Sequence, residues 1–499
     1  CQFTLNPPVF CVPSGGTIGG RYMRITTIVW GVLPCIAILG LTPSAFAHTS
    51  ESGYILLLPT EYYLLGGTLS VALSFLILSL TAPKAVVAGY QGYLSLPWIP
   101  AGVFDTVLSA VGFILFAGLL YCGVEGARDP LTNPLPMVIW SVGWVGVTVA
   151  HAVFGNFWSV LNPWRFPVRM LRRLAGAAAE GNGPVALPDW VKGWPAILLL
   201  MGIAWYELVS LSPEDPDLLA FWVSVYWVIG FIGCLIFGEA VWLRSGEPLS
   251  VLFRYLSLLA PFSVETKDGG RRVLYLSKPG RRVLEASPPT VPFMLFLLLS
   301  LATVSFDGLS MTFWWLGLND INPLEFPGRS AVTGINTVGL VLAWTGLACL
   351  YCAAVWTGER LRGAQDVRAA LGLMVLSILP ISLAYHFAHY LTYFLVNGQW
   401  VLIALNDPLA TGANLLGLQG FRVTTSFLNM PDTVERLWQA QVAAITIGHI
   451  WAVVLAHGLS HRLAGGRASR HLIGQIPLGV LMVGYTLFGL WLLSSPTGG

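Results

Sequence analysis

Residues 368–396, RAALGLMVLSILPISLAYHFAHYLTYFLV, form an apolar run that is long enough to cross a lipid bilayer as a helix. After Arg368 this run contains no Asp, Glu, Lys or Arg, but it contains His386 and His389. The chain as a whole has the same character, because 55% of its 499 residues are hydrophobic and only 10% are charged. So few charged side chains cannot solvate the surface of a globular protein of this size. The sequence therefore predicts an all-α, polytopic integral membrane helical bundle.

Ten apolar runs are long enough, or nearly so, to span a bilayer, and a segment before them resembles a signal peptide. That segment runs from Arg24 through an apolar stretch to Ala45-Phe46-Ala47, an A-x-A cleavage pattern. We expect residues 1–47 to comprise upstream residues and a cleavable signal peptide, with an uncleaved first helix as the alternative. Residues 48–499 then form the transmembrane domain. Its spans are expected at about 62–82, 103–123, 136–153, 194–212, 218–243, 290–307, 331–357, 368–396, 438–457 and 473–494.

The distribution of Lys and Arg predicts the orientation of these spans. If residue 48 starts outside, 20 of the 26 basic residues fall in inward loops, four fall in outward loops and two precede residue 48. The positive-inside rule then places both mature termini in the periplasm of a bacterial inner membrane. Eight of the inward basic residues lie in the longest loop, about 244–289, beside the lipid headgroups. Alternating residues around Gly269-Gly270 and Pro279-Gly280 predict a small hairpin in that loop.

Histidines within the eighth and ninth predicted spans are the strongest functional signal, because histidine is costly in a bilayer core. His386 and His389 are three residues apart and share one helix face, and His449 is expected at the same depth in the outer half of the membrane. Glu207 and Asp307 reach a similar depth from other spans. Three imidazoles with one or two carboxylates predict a site for a divalent metal ion, Zn, Cu, Fe or Mn, with an open position for water or substrate.

His457 and His151 are expected to form a second, inner layer. His457 is included among the candidate metal ligands, although polar side chains at this depth are commonly interfacial. Tyr385 and Tyr390 are expected to hydrogen-bond the histidine ligands. Alternatively, the histidines bond to one another, to backbone carbonyls and to water inside the bundle. Haem ligation is a third possibility, although the sequence has no C-x-x-C-H motif for covalent attachment.

Six distinctive segments carry a family resemblance: LLLPTEYYLLGG (56–67), FGNFWSVLNPWR (154–165), FGEAVWLRSGEPLSVLF (237–253), YHFAHYLTYFLVNGQ (385–399), NDPL (406–409) and GHIWAVVLAH (448–457). As a set they resemble the polytopic bacterial membrane proteins commonly named fenitrothion hydrolase, over nearly all of residues 48–499. The resemblance implies hydrolysis of a lipophilic organophosphate triester. A metal would then polarise the phosphoryl oxygen and activate water, with His386, His389 and His449 as ligands and Glu207 or Asp307 as a ligand or base.

Other classes of function are open at the level of sequence. A metal-ion or proton transporter would use the two histidine layers as a route, and a redox or assembly subunit of a membrane complex is a third class. The expected partners are a lipophilic small molecule or a metal ion, together with membrane lipids and no nucleic acid. The sequence has no nucleotide-binding loop, G-x-S-x-G elbow or H-E-x-x-H motif, so neither an ATP motor nor a standard serine hydrolase is indicated.

Overall fold

The computed structural model describes residues 58, 60–99, 103–176, 178, 181–266, 272–325, 328–363, 366–463 and 468–496. These residues belong to one unit of the chain, Phe46–Gly499. The expected upstream residues and signal peptide, residues 1–47, lie outside the described residues. In chain order the elements are α1 (Thr60–Ser79), α2 (Pro83–Gly89), β1 (Tyr93–Ile99), α3 (Val103–Glu125), α4 (Pro134–Phe154), α5 (Trp158–Leu161), α6 (Arg165–Leu174), α7 (Trp194–Leu208), α8 (Pro216–Phe237), α9 (Glu239–Ser245), α10 (Pro248–Leu256), β2 (Phe262–Thr266), β3 (Arg272–Ser277), α11 (Arg281–Glu285), α12 (Val291–Ser310), α13 (Phe313–Leu318), α14 (Arg329–Arg362), α15 (Val367–Asn406), α16 (Pro431–Leu463) and α17 (Ala468–Ser494).

Nine helices in the described ranges are long and apolar enough to cross a membrane, and each overlaps a predicted span. They are α1, α3, α4, α8, α12, α14, α15, α16 and α17. The remaining predicted span, 194–212, corresponds to the shorter apolar helix α7, which has 15 residues. Such a helix is about 22 Å long, less than the roughly 30 Å of a hydrocarbon core. The structure therefore confirms an all-α polytopic bundle.

Two predicted spans end at least four residues later than their helices. Helix α7 ends at Leu208 rather than at 212, because Ser210, Ser212 and Pro213 follow and do not favour a helix. The predicted span 218–243 is two helices, α8 and α9, separated by Gly238. Gly238 has a φ of 88°, a conformation that favours glycine, so the helix cannot continue through it.

Two long helices contain irregular turns next to the polar side chains of the bundle. Residues Met137–Val147 of α4 form a π-helix that includes Trp144, and π-helical turns often occur at functional sites. Residues Val375–Ile378 of α15 form a 3-10 turn just before Pro380, which has no N–H to donate to the preceding turn. Gly448 of α16 lies against α15, where an added Cβ would be 2.9 Å from the Pro380 carbonyl oxygen. The two helices therefore approach closely beside His449.

A three-stranded antiparallel sheet with the strand order β1-β3-β2 lies among the connections between helices. Strands β2 and β3 are the hairpin predicted within the 244–289 segment, which also contains α10 and α11. Strand β1 was not predicted, because Pro97 interrupts its sequence YLSLPWI and proline is rare inside sheets. The proline is tolerated since β1 is an edge strand whose register shifts between Leu96 and Ile99.

A buried ion pair ties α6 to α9. Arg169 Nη2 lies 2.6 Å from Glu239 Oε1, and the two side chains are only 9% and 6% exposed. We expect Arg169→Met to lower the free energy of unfolding by about 3–5 kcal/mol, because it leaves a buried carboxylate without its partner. Thermal unfolding of the purified protein in detergent measures the change.

The exposed pair Arg128–Asp217 provides the matched control for that measurement. Its side chains are 64% and 58% exposed, so Arg128→Met should cost no more than about 1 kcal/mol. Equal effects of Arg169→Met and Arg128→Met would show that the buried pair does not stabilise the fold in the way its geometry indicates.

Candidate functional site

His389 of α15 and Asp307 of α12 form the centre of a polar cluster inside the bundle. His389 Nε2 lies 2.8 Å from Asp307 Oδ2. Because the carboxylate accepts this hydrogen bond, Nε2 carries a proton, and in the neutral ring Nδ1 carries the lone pair. Among the described residues Nδ1 has no hydrogen-bond partner, and the His389 side chain is 33% exposed. An imidazole that is oriented by a carboxylate at one nitrogen can accept a proton at the other.

Tyr390 connects this pair to a second carboxylate, Glu207 of α7. Its hydroxyl oxygen lies 2.7 Å from Asp307 Oδ2 and 3.2 Å from Glu207 Oε1, and it accepts a hydrogen bond from Trp144 Nε1 at 3.3 Å. A phenol has one proton, so Tyr390 can donate to only one carboxylate. Every contact is satisfied when Tyr390 donates to Asp307 and a protonated Glu207 donates to Tyr390. The outer cluster, defined as Glu207, Asp307, His389 and Tyr390, therefore has a place for an exchangeable proton.

The second carboxylate oxygen of Glu207 is buried and has no hydrogen-bond partner among the described residues. Arg329 lies nearby, but its Nη1 donates to the backbone carbonyls of Glu207 and Ser210, at 2.9 and 3.0 Å. Arg329 thus satisfies carbonyls at the C-terminal end of α7. The free carboxylate oxygen is left available to a proton or a ligand.

His386 packs against the ring of Tyr390, next to this cluster. Its ring centroid is 4.9 Å from that of Tyr390, and its Nε2 donates to the Trp144 carbonyl oxygen at 2.9 Å. Trp144 therefore holds His386 with its backbone and Tyr390 with its indole. The π-helical segment of α4 positions both contacts.

His449 of α16 lies beside Tyr385 of α15. Tyr385 is one helical turn before His389. The ring centroids of His449 and Tyr385 are 5.8 Å apart, and His449 Nδ1 lies 2.9 Å from the Ile445 carbonyl oxygen. Since a carbonyl only accepts, Nδ1 carries the proton and Nε2 carries a lone pair. His449 is fully buried, and Nε2 has no partner among the described residues.

The structure does not bring His386, His389 and His449 together as ligands of one ion. Within the part of the chain that it describes, no group of three or more His, Cys, Asp or Glu side chains could hold a metal ion. Equal depth in a membrane does not fix the direction of a side chain around its helix. His386 bonds to α4 and His389 bonds to α12, while His449 bonds to its own helix.

Further polar side chains surround His449 and form a middle group, defined as Ser305, Tyr385, His449 and Tyr485. The hydroxyl oxygens of Ser305 and Tyr485 are 2.6 Å apart, and the Tyr385 hydroxyl donates to the Tyr485 carbonyl oxygen at 2.6 Å. Gly489 leaves the space for that hydroxyl, because a Cβ at position 489 would overlap it. Tyr385 and His389 are four residues apart on α15 and share one face of that helix, so the middle group lies one turn from the outer cluster.

His457 is the centre of an inner group, defined as Thr81, His457 and Gln475. Its Nδ1 lies 3.2 Å from Gln475 Oε1, and its Nε2 lies 3.2 Å from the Thr81 carbonyl oxygen. These contacts join α16 to α17 and to the C-terminal end of α1. His457 was predicted to be a metal ligand. Among the described residues it does not belong to a group of three or more His, Cys, Asp or Glu side chains that could hold a metal ion.

His151, which was predicted to share an inner layer with His457, has its hydrogen-bond partners in its own part of the chain. Its Nδ1 lies 2.7 Å from the Val147 carbonyl oxygen, and its Nε2 accepts a hydrogen bond from the Trp158 N–H at 3.2 Å. The ring stacks between Phe157 and Phe253, with centroid distances of 3.9 and 4.1 Å. Both nitrogens are satisfied and both faces are covered, so His151 has a structural role.

Several residues of these groups were not identified from the sequence. Trp144, Ser305 and Tyr485 are ordinary members of apolar helices, and serine and tyrosine are common there. Their importance depends on which helices pack against each other, and the hydropathy of the sequence does not predict that packing. Tyr390 was expected to support a histidine ligand, but it instead bridges two carboxylates.

Comparison with known proteins identifies no relative of this chain. No known family model matches the chain, and no curated protein or solved structure matches it either. Its function is therefore inferred from its residues and their geometry.

Proposed function

We propose that this protein carries protons across a membrane through the polar side chains of α12, α15, α16 and α17. The observation that carries the proposal is the succession of the outer cluster, the middle group and the inner group along these four helices. Chains of Asp, Glu and His inside a membrane protein are typical of proton relays. The outer cluster supplies two carboxylates that are linked by Tyr390 and an imidazole that bonds to Asp307.

The spacing of the groups supports a route through a large part of the bilayer. Tyr385 and His389 are four residues apart on α15, or about 6 Å, and His449 and His457 are eight residues apart on α16, or about 12 Å. Together these steps cover more than half of a roughly 30 Å hydrocarbon core. Water or rotating side chains would complete the steps between the groups.

Proton uptake by proteoliposomes tests the proposal directly. The purified protein would be reconstituted with a pH-sensitive dye inside, and a potassium gradient with valinomycin would set a membrane potential that is negative inside. We expect the interior to acidify faster than in protein-free liposomes of the same lipid. Acidification at the rate of protein-free liposomes would contradict the proposal.

A second candidate function is hydrolysis of a lipophilic ester or phosphotriester. The specific observation in its favour is the His389–Asp307 pair, because a carboxylate-oriented imidazole with a free nitrogen is suited to act as a general base toward water. The sequence resemblance to the fenitrothion hydrolase family supports the same candidate. A metal-dependent version would need ligands beyond those that the described residues bring together.

Two measurements on the purified protein test this second candidate. Elemental analysis would show whether Zn, Cu, Fe or Mn copurifies in stoichiometric amount, and absorbance would follow release of a nitrophenol from an organophosphate triester. Hydrolysis that is lost in His389→Gln would favour an enzyme. Proton uptake without hydrolysis would favour the transport proposal.

Contacts between connecting segments support the predicted alternation of these segments between two sides of the membrane. Segments that the prediction places outside contact one another, as in Arg329 with the carbonyl of Ser210 and Phe313 N–H with the carbonyl of Pro496. Segments that it places inside also pair, as in Lys278 with the carbonyl of Gly89. This separation into two sets is what ten crossings would produce, provided that the short helix α7 also crosses.

We expect residues 165–173 to be accessible from the cytoplasm and the C-terminus to be periplasmic, because basic residues are concentrated in the inward loops. Cysteine labelling with a membrane-impermeant maleimide measures this on intact cells and on inverted vesicles. A cysteine at Arg172 should react only in inverted vesicles, and a cysteine at Thr497 should react in intact cells. The opposite pattern would reverse the proposed orientation.

A further inference from the structure

The three strands form a sheet with one apolar and one polar face. Side chains alternate between the two faces along each strand, so the pairing register shows which residues share a face. Two exposed members of the apolar face, Leu94 and Val264, are 58% and 49% exposed. In a membrane protein, these two exposed apolar side chains are suited to contact with acyl chains, whereas the other four of the face are half-buried. Its six residues are Leu94, Leu96, Phe262, Val264, Leu274 and Leu276.

The polar face of the sheet and helix α11 enclose a cavity of about 150 Å³. The cavity lies next to a membrane-spanning helix, because Arg462 of α16 donates to the carbonyls of Leu284 and Ala286 at the end of α11. A volume of 150 Å³ is below the roughly 300–1,000 Å³ of pockets for drug-sized ligands, so it suits a small polar group. The lining residues are Tyr93, Ser263, Glu265, Tyr275, Ser277, Arg281, Arg282 and Glu285.

The charged residues of the cavity are balanced, with two arginines and two glutamates. Arg281 bonds Glu285 through Nε at 2.8 Å, and its guanidinium lies 4.7 Å from the centre of the Tyr93 ring. Arg282 donates through Nη1 to the Ser257 carbonyl at 3.3 Å, which leaves guanidinium donors for a ligand. The backbone of Glu265 pairs with Val273, but its carboxylate makes no hydrogen bond within the described part of the chain and can accept from a ligand.

We propose that this cavity binds the headgroup of a phospholipid that carries both a phosphate and a primary ammonium. Arg282 receives the phosphate, since guanidinium groups match phosphate oxygens in geometry and charge. Glu265 receives the ammonium through charge-assisted hydrogen bonds.

The balance of charge favours this headgroup over an anionic one. A headgroup with a phosphate and no amine would leave the carboxylates of Glu265 and Glu285 facing added negative charge. Burial lowers the pKa of the Arg282 guanidinium, and Glu265 and Glu285 oppose that effect. A partly desolvated guanidinium gains more from a phosphate than one in open water. The contact of α11 with the membrane-spanning helix α16 supplies the reason for a lipid source, because it places the cavity beside the bilayer.

Binding of short-chain lipids to the purified full-length protein in detergent tests the proposal. The probes are a phosphatidylethanolamine, a phosphatidylglycerol with the same chains, and soluble phosphoethanolamine, each titrated by calorimetry. We expect the phosphatidylethanolamine to bind at least tenfold more tightly than the other two. Equal binding of phosphatidylglycerol would overturn the zwitterion assignment, and equal binding of phosphoethanolamine would overturn the lipid source.

Two variants assign the contacts within the cavity. Arg282→Gln should weaken phosphatidylethanolamine binding about tenfold, the usual size of a charge-assisted hydrogen bond. Glu265→Gln should also remove the preference over phosphatidylglycerol, because it removes the ammonium contact alone. Arg360→Gln is the control, since that exposed arginine stacks on Trp356 outside the cavity. Unchanged binding in both cavity variants would show that the lipid binds elsewhere.

Discussion

Asp307→Asn is expected to reduce potential-driven proton uptake by proteoliposomes to the background of protein-free liposomes. Asp307 accepts hydrogen bonds from both His389 and Tyr390, so it is the junction of the outer cluster. An asparagine fills the same space but cannot take up a proton. Its amide oxygen is neutral, so it cannot replace the charged oxygen that accepts both hydrogen bonds. A loss of at least about 100-fold is expected, the lower range for removing a positioned proton-transfer group.

The control for this prediction is Asp432→Asn, which changes an exposed aspartate at the start of α16. It should retain the uptake rate of the unchanged protein. Both variants should elute as monodisperse protein in detergent, so that loss of uptake is not loss of folding. Full uptake by Asp307→Asn would show that protons do not pass through the outer cluster.

His389→Ala and His457→Ala are expected to reduce proton uptake by similar factors, each at least about tenfold. The two histidines belong to the outer cluster and the inner group, and protons that cross the membrane must pass both in series. A hydrolase with one reaction centre would instead depend on His389 alone. The same proteoliposome assay measures both variants, and His461→Ala on the same helix as His457 is the control.

Added imidazole separates the two histidine variants further. The His389 side chain is 33% exposed, whereas His457 is 1% exposed. Imidazole in the buffer should therefore restore part of the uptake in His389→Ala and none in His457→Ala. A large loss of uptake in His389→Ala with no loss in His457→Ala would show that protons do not pass through the inner group.

The architecture was largely predictable, because the length of each apolar run can be read from the sequence. All ten predicted spans overlap helices, and the hairpin of β2 and β3 was expected from alternation and turn residues. What sequence reasoning could not supply was the interruption of a long apolar run by Gly238, or a strand that contains Pro97. Both depend on contacts with distant segments, which local patterns do not record.

The site was predictable in its members but not in its arrangement. Glu207, Asp307 and His389 were each identified as ionisable groups inside the bundle, and the structure joins them through Tyr390. They were expected to lie beside three histidines that bind one metal ion. Whether the three histidines meet depends on how each helix is rotated about its own axis. A rotation of one residue turns a side chain by about 100°, so His386 and His449 bond to different partners although they lie within the same bundle.

The pairing of β1 with β3 imposes an order on synthesis. Ile99 of β1 faces Arg272 of β3, and the roughly 170 intervening residues take about 10–35 s to translate at 5–20 residues per second. During that interval the ribosome produces α3, α4, α7 and α8, and β1 remains unpaired because β3 has not yet been synthesised. A chain released before residue 277 would carry an unpaired strand edge of the kind that promotes aggregation, so quality control should recognise such fragments early.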